Sequence, residues 1–259
     1  MNVQTRQLRV AVTGARLDVV IDRPQVRNAL SLETLHELEM VFTRFAEVPD
    51  LSVAVLTGAG ERAFAAGGDL KELNNHRSEA QAGALFDAGR AALDAVRHFP
   101  LPVVAALNGV ALGGGAELAI ACDFRLAAGH AAIGFVQAQL AITTGFGGVA
   151  DLQATIGPRK AMGLMLAAQI LKAPEALELG LFDAVAQDGE GLEALVARFL
   201  APILDRPSAL VRDIKAVARA DMDRQRRTAI AEEERARFIR AWMSEEHWAA
   251  AEHLLTRRS

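Results

Sequence analysis

The chain of 259 residues contains no tyrosine, one cysteine and two tryptophans, and only 5% of it is aromatic. Without tyrosine, no mechanism can use a phenol as acid or base. The lone Cys122 precludes an internal disulfide and is compatible with a reducing compartment. The first ten residues, MNVQTRQLRV, hold no apolar signal core, so a cytoplasmic location is expected. HExxH is absent and the histidines show no ligand spacing, so no metal site is expected. His36, His76, His98 and His130 read as surface residues. There is no GxSxG elbow, no Lys-Ser/Thr after a glycine loop and no GxGxxG. The net charge is −4 and the pI about 5.9, which argues against a nucleic-acid partner.

What the chain does have is apolar residues (51%) and glycine (21 residues), enough for a sizeable core with many tight turns. The two are concentrated between Pro102 and Cys122, PVVAALNGVALGGGAELAIAC, where Glu117 is the sole formal charge. Val103–Leu107 reads as a buried strand, Asn108-Gly109 as a turn, and Gly113, Gly114 and Gly115 as the entry to a buried helix. The run is long enough to span a membrane, but Asn108, the glycines and Glu117 at its middle argue against a span. A helix start exposes N–H groups that no helical carbonyl satisfies, and glycines let a ligand approach them. A carboxylate within one turn of such a start is a candidate acid or base. The alternative is a packing glycine cluster with Glu117 paired to a distant arginine.

The rest of the chain is read in order. Leu8–Val12 and Leu17–Ile21 form a hairpin, and a helix capped by Ser31 covers about 32–47. Ser52–Leu56 is a strand. AFAAGGDLKEL, 63–73, is either a nest of N–H groups at Gly67-Gly68 or an ordinary loop in which Asp69 caps the next helix. Residues 74–83 are polar, and a helix covers about 84–98. FRLAA, from Phe124, is a strand, and AIGFVQAQLAI is less regular. TTGFGG, 143–148, is a third glycine turn. Helices follow over about 148–156, 160–168 and 174–179, with a last short strand over Leu181–Ala186. Beyond about residue 190 only helices are expected, over 191–204, 207–219, 223–243 and 245–256. The EEER run at 232–235 reads as a solvated face. Strands alternating with helices, then helices alone, give an α/β core with a helical C-terminal part.

AFAAGGDLKEL followed by NGVALGGGAELAIACDFRLA, 108–127, resembles the signature pair of the crotonase (enoyl-CoA hydratase/isomerase) superfamily. RNAL (27–30), TTGFGG and the helical C-terminus fall in that family's order. The resemblance implies a spiral of repeated ββα units over 1–190 carrying an acyl-CoA site. It also implies a helical part, 191–259, that assembles a homotrimer or a dimer of trimers. It further implies an acyl-CoA thioester as substrate, no cofactor, and an enolate held by the N–H groups of Gly68 and Gly114. Ala65, Gly68, Asp69, Leu70 and Lys71 match the segment lining the CoA side, and Arg27 and Ala29 fall near the CoA headgroup. Hydratases of the family place two glutamates about the double bond. The first falls on Glu117; at the second this chain has Gln137, with Gln139 the alternative because AIGFVQAQLAI lacks the proline that fixes the family's register. The leading expectation is a hydratase-type lyase. The alternatives are an acyl-CoA decarboxylase of the ethylmalonyl- or methylmalonyl-CoA type, whose branch also lacks that glutamate, and a degenerate acyl-CoA binder.

Overall fold

The computed structural model describes residues 3–74, 77–225 and 228–256, with side chains outside 220–231. The chain opens with the antiparallel hairpin β1 (Leu8–Thr13) and β2 (Arg16–Ile21). Helix α1 (Leu32–Phe45) begins at Ser31, whose hydroxyl accepts from the Thr34 N–H. That is the expected cap.

Three ββα units follow. The first is β3 (Val53–Gly58), β4 (Ala63–Ala65) and the helices α2 (Leu70–Leu73) and α3 (Glu79–Arg97). The second is β5 (Val103–Leu107), β6 (Val110–Leu112) and α4 (Gly114–Ala121). The third is β7 (Phe124–Ala127) and β8 (Ala132–Gly134), then a 3-10 turn (Gln137–Leu140) and the helices α5 (Val149–Ile156) and α6 (Pro158–Ala167). In each unit the first strand joins a six-stranded sheet and the second a four-stranded one, so the chain winds between two sheets. This is the expected spiral. After it come β9 (Ile170–Lys172), α7 (Ala173–Glu178) and β10 (Ala184–Val185). The C-terminal part is α8 (Leu192–Leu204), α9 (Ser208–Gln225), α10 (Thr228–Trp242) and α11 (Glu245–Thr256).

β3, β5 and β7 are parallel neighbours in the larger sheet and carry apolar side chains on both faces. Ala54, Leu56 and Val103 enter the main core, while Val53, Val55 and Val104 pack beneath Leu195, Val196 and Leu200 of α8. Strands covered on both sides read as continuous apolar runs, which is why these were visible in the sequence.

Several expectations need correcting. The 63–65 segment is a strand, and so are 110–112, 132–134 and 170–172. Helix α3 starts at Glu79, not Ala84, because Ser78 and Gln81 form a capping box. The final strand is only Ala184–Val185. The helices expected over 207–219 and 223–243 correspond to α9 and α10, and residues 226–227 between them lie outside the described residues. His76 does too, while His36, His98 and His130 are exposed as expected. Cys122 is buried at the end of α4, and burial pushes its thiol up to about 12, so it is a core residue and no nucleophile.

Candidate functional site

β4, β6 and β8 run parallel, side by side. Their C-terminal ends therefore deliver three chain turns to one place: Gly67-Gly68 after β4, Gly113-Gly114 after β6, and Gln137 after β8. Gly67 has φ 99° and Gly113 φ 52° with ψ −120°, backbone that a side chain would strain. The first two turns touch, since a Cβ on Gly113 would stand 4.0 Å from the Gly67 Cα. Gly114 is the first residue of α4, and its N–H has no helical acceptor. Among the described residues no protein acceptor is recorded for the N–H of either Gly68 or Gly114.

The RNAL segment holds the first turn in place. Ala66 N–H donates to Arg27 O, Leu30 N–H to Gly67 O, and Asp69 N–H to Leu30 O. Asn28, fully buried, donates to Ala59 O and Ala63 O. Asp69 is the N-cap of α2, as one of the two readings had it, and also pairs with Arg23 at 2.8 Å. Sequence reasoning missed Arg23; no local spacing connects it to residue 69.

Glu117 sits in the first turn of α4, an apolar helix whose eight residues are all buried. Its carboxylate accepts four hydrogen bonds. Oε1 takes Gln137 Nε2 at 2.7 Å and Gly145 N at 3.0 Å. Oε2 takes Phe146 N at 2.9 Å and Gly148 N at 2.8 Å. Among the described residues no arginine pairs with it, unlike the alternative that tied it to a distant one. The TTGFGG turn, read only as a turn, is thus the cradle of the carboxylate. Burial pushes Glu117 from an ordinary 4.5 up to about 7. The Gly148 N–H opposes the rise, the Glu234 charge adds to it, and the Gly145 and Phe146 N–H groups oppose it. Gln137 Oε1 is buried and, among the described residues, has no hydrogen-bond partner.

Gly68, Leu70, Gly114, Glu117 and Gln137 line one cavity of about 150 Å³. Phe238, Trp242 and Leu254 of α10 and α11 line it too, so the helical part contributes to the site. Of the other expected substrate residues, Ala65 is fully buried against Gly115, Ala29 is buried, and Arg27 and Lys71 are exposed. The EEER expectation is corrected: Glu232 and Glu233 are exposed, but Glu234 is half-buried and accepts from Thr144 Oγ1. Among the described residues no cluster could hold a metal ion, and no helix is long and apolar enough to cross a membrane.

This fold is that of the crotonase superfamily. The chain belongs to the enoyl-CoA hydratase/isomerase family, whose model matches residues 14–249. It is 37% identical over 202 residues to a crotonyl-CoA hydratase of Syntrophomonas wolfei, covering 78% of this chain and 77% of that one. It is 36% identical over 218 residues to a carnitinyl-CoA dehydratase of Proteus mirabilis, covering 83% and 81%. The crystal structure of an enoyl-CoA hydratase from Bacillus anthracis matches with a TM-score of 0.80 at 31% identity over 97% of each chain.

Proposed function

We propose that the protein is an acyl-CoA lyase that adds water across the double bond of an enoyl-CoA thioester. The observation that carries this is one cavity holding two glycine N–H groups without acceptors, a buried carboxylate near neutrality and an amide beside it. The thioester carbonyl oxygen accepts from Gly68 and Gly114 N–H. Water oxygen bonds to the β-carbon, the electron pair of the double bond passes to the carbonyl, and the enolate charge rests on those two donors. Donors aimed at such an oxyanion contribute about 3–4 kcal/mol each. Glu117 Oε1 takes the proton from water and returns it to the α-carbon. A pKa of about 7 suits both halves of that transfer. Gln137 Nε2 steadies Oε1, and its own unpartnered oxygen accepts from the attacking water. No cofactor enters these steps.

The CoA part lies on the side of Asp69, Leu70 and Lys71. Lys71 and Arg27 are exposed cations on segments bonded to each other, suited to phosphate groups. Ala29 and Ala65 shape that side from beneath. We assign the helical part, 191–259, an additional role in assembling a homotrimer or a dimer of trimers in the cytoplasm. The exposed Leu210, Ile214 and Val217 of α9 support an assembly contact.

The amide at 137 favours a second reading, decarboxylation of a malonyl-type thioester. There the C–C bond to the carboxylate breaks, CO₂ leaves, and the same two N–H groups hold the enolate. The test is incubation with crotonyl-CoA and, separately, with ethylmalonyl-CoA, following loss of the conjugated thioester and release of CO₂. Hydration without CO₂ release supports the proposal, and CO₂ release alone transfers support to the second reading. Binding of both thioesters without turnover overturns both.

A further inference from the structure

Three of the four donors to Glu117 are N–H groups of one turn, Gly145 to Gly148, so the position of the base is the position of that turn. Two side chains hold the turn from different helices. Arg97 of α3 donates from Nη2 to Gly147 O at 3.0 Å and pairs with Asp151 through Nε at 2.9 Å. Glu234 of α10 accepts from Thr144 Oγ1, and a Cβ on Gly147 would lie 3.9 Å from Glu234 Oε2. We propose that Glu234 is a positioning residue for the reaction: through Thr144 it fixes the turn that fixes Glu117. It also sets a second carboxylate behind the turn in a chain whose cavity has an amide, Gln137, in front of it. The proposal rests on the reading of Glu117 as the proton-handling group.

The contact is built, not incidental. Thr144 is 3% exposed, so little water competes for its hydroxyl, and a hydroxyl donating to a carboxylate is among the stronger neutral-to-charged bonds. Glu233, one residue earlier, shows what an uncommitted glutamate does on this helix: it stays exposed and pairs with Arg237 on the surface. Glu234, Thr144 and Gln137 also line a common cavity next to the one that holds Glu117. The charged groups about the pair are Arg90, Asp94 and Arg97 from α3 and Asp151 from α5. Burial pushes the Glu234 carboxyl up, and the Thr144 hydroxyl, Arg90 and Arg97 oppose that. Removing its charge should lower Glu117.

Two readouts test the proposal in the full chain. The first needs no substrate: a ¹³C NMR titration of labelled glutamate carboxyls, with the Glu117 signal assigned by its loss in Glu117→Gln. Glu234→Gln keeps an oxygen for Thr144 and drops the charge. The Glu117 midpoint should fall by about half a unit or more. The second is crotonyl-CoA hydration. Glu234→Ala and Thr144→Val should lower kcat by about tenfold with KM little changed, since positioning of the base is lost. Thr144→Ser, which keeps the hydroxyl, should restore it. A Glu117 midpoint unmoved in folded Glu234→Gln overturns the proposal. So does kcat within about twofold of wild type in folded Thr144→Val, a variant that loses the hydroxyl and keeps the branched side chain. If the wild type hydrates nothing, the hydration reading fails while the titration still decides the role of Glu234.

Discussion

Replacing Gln137 by Glu puts a second carboxyl where an amide now donates to Glu117. The donor Nε2, 2.7 Å from Glu117 Oε1, becomes a carboxyl oxygen. Two full charges at that separation repel by about 6 kcal/mol at an effective dielectric constant of about 20. That corresponds to roughly 4–5 pK units, so the pair must keep one proton across neutral pH. The backbone donors of residues 145–148 favour leaving the charge on Glu117, which puts the proton on position 137. The site then holds an acid and a base together, and general acid–base assistance is worth about 10²–10⁴-fold. Crotonyl-CoA hydration should therefore rise by about tenfold or more, with a bell-shaped pH profile. Any CO₂ release from ethylmalonyl-CoA should fall, because the pair, sharing one proton, holds a full negative charge beside the substrate's carboxylate across neutral pH. The assay is loss of the conjugated thioester against pH, with circular dichroism to establish folding. Hydration that is unchanged or absent in folded Gln137→Glu refutes the placement of residue 137 beside the attacking water.

Other outcomes follow from the same geometry. The folded state raises the Glu117 pKa from 4.5 to about 7, so its contribution to stability is full below about pH 4.5 and is lost as pH rises through 7, about 3 kcal/mol in all. Urea unfolding across that range should show the loss, and Glu117→Gln should remove it. The acid limb of kcat/KM should have its midpoint near 7, since the ionised carboxylate accepts the proton. A Cβ at Gly89 would stand 1.9 Å from Phe146 Cδ1, so Gly89→Ala must displace the ring of Phe146, the residue whose backbone N–H donates to Glu117. It should cost about 1–3 kcal/mol of stability and a larger share of kcat than of KM. Asp151→Ala strips the buried Arg97 of its main partner and should cost about 3–5 kcal/mol in thermal or urea melts.

The parts legible in the sequence were those with a local signal. β3, β5 and β7 show as apolar runs because both faces are covered. The glycines at 67–68 and 113–114 announce turns, and Glu117 stands out as a lone charge in an apolar stretch. β4, β6, β8 and β9 have three residues each, too few to show any period, and are held by their neighbours in the smaller sheet. The cradle of Glu117 was hidden for another reason. Its contacts join residues 20 to 31 positions apart, and Thr144 meets Glu234 across 90 positions. Nothing in a glutamate-rich helix face distinguishes the one carboxylate that turns inward. No local spacing shows that Phe238 and Trp242 of α10 line the cavity of the same chain.

In the proposed reaction water adds at the β-carbon while the α-carbon receives a proton handled by Glu117. It is tested most directly by hydrating crotonyl-CoA in D₂¹⁸O and weighing the product. The wild type should form 3-hydroxybutyryl-CoA with one deuterium bonded at C2 and one ¹⁸O at C3, and folded Glu117→Gln should form it about 10²–10⁴-fold more slowly. Unlabelled thioester recovered from the wild type would contradict it, as would equal labelling rates in the two proteins.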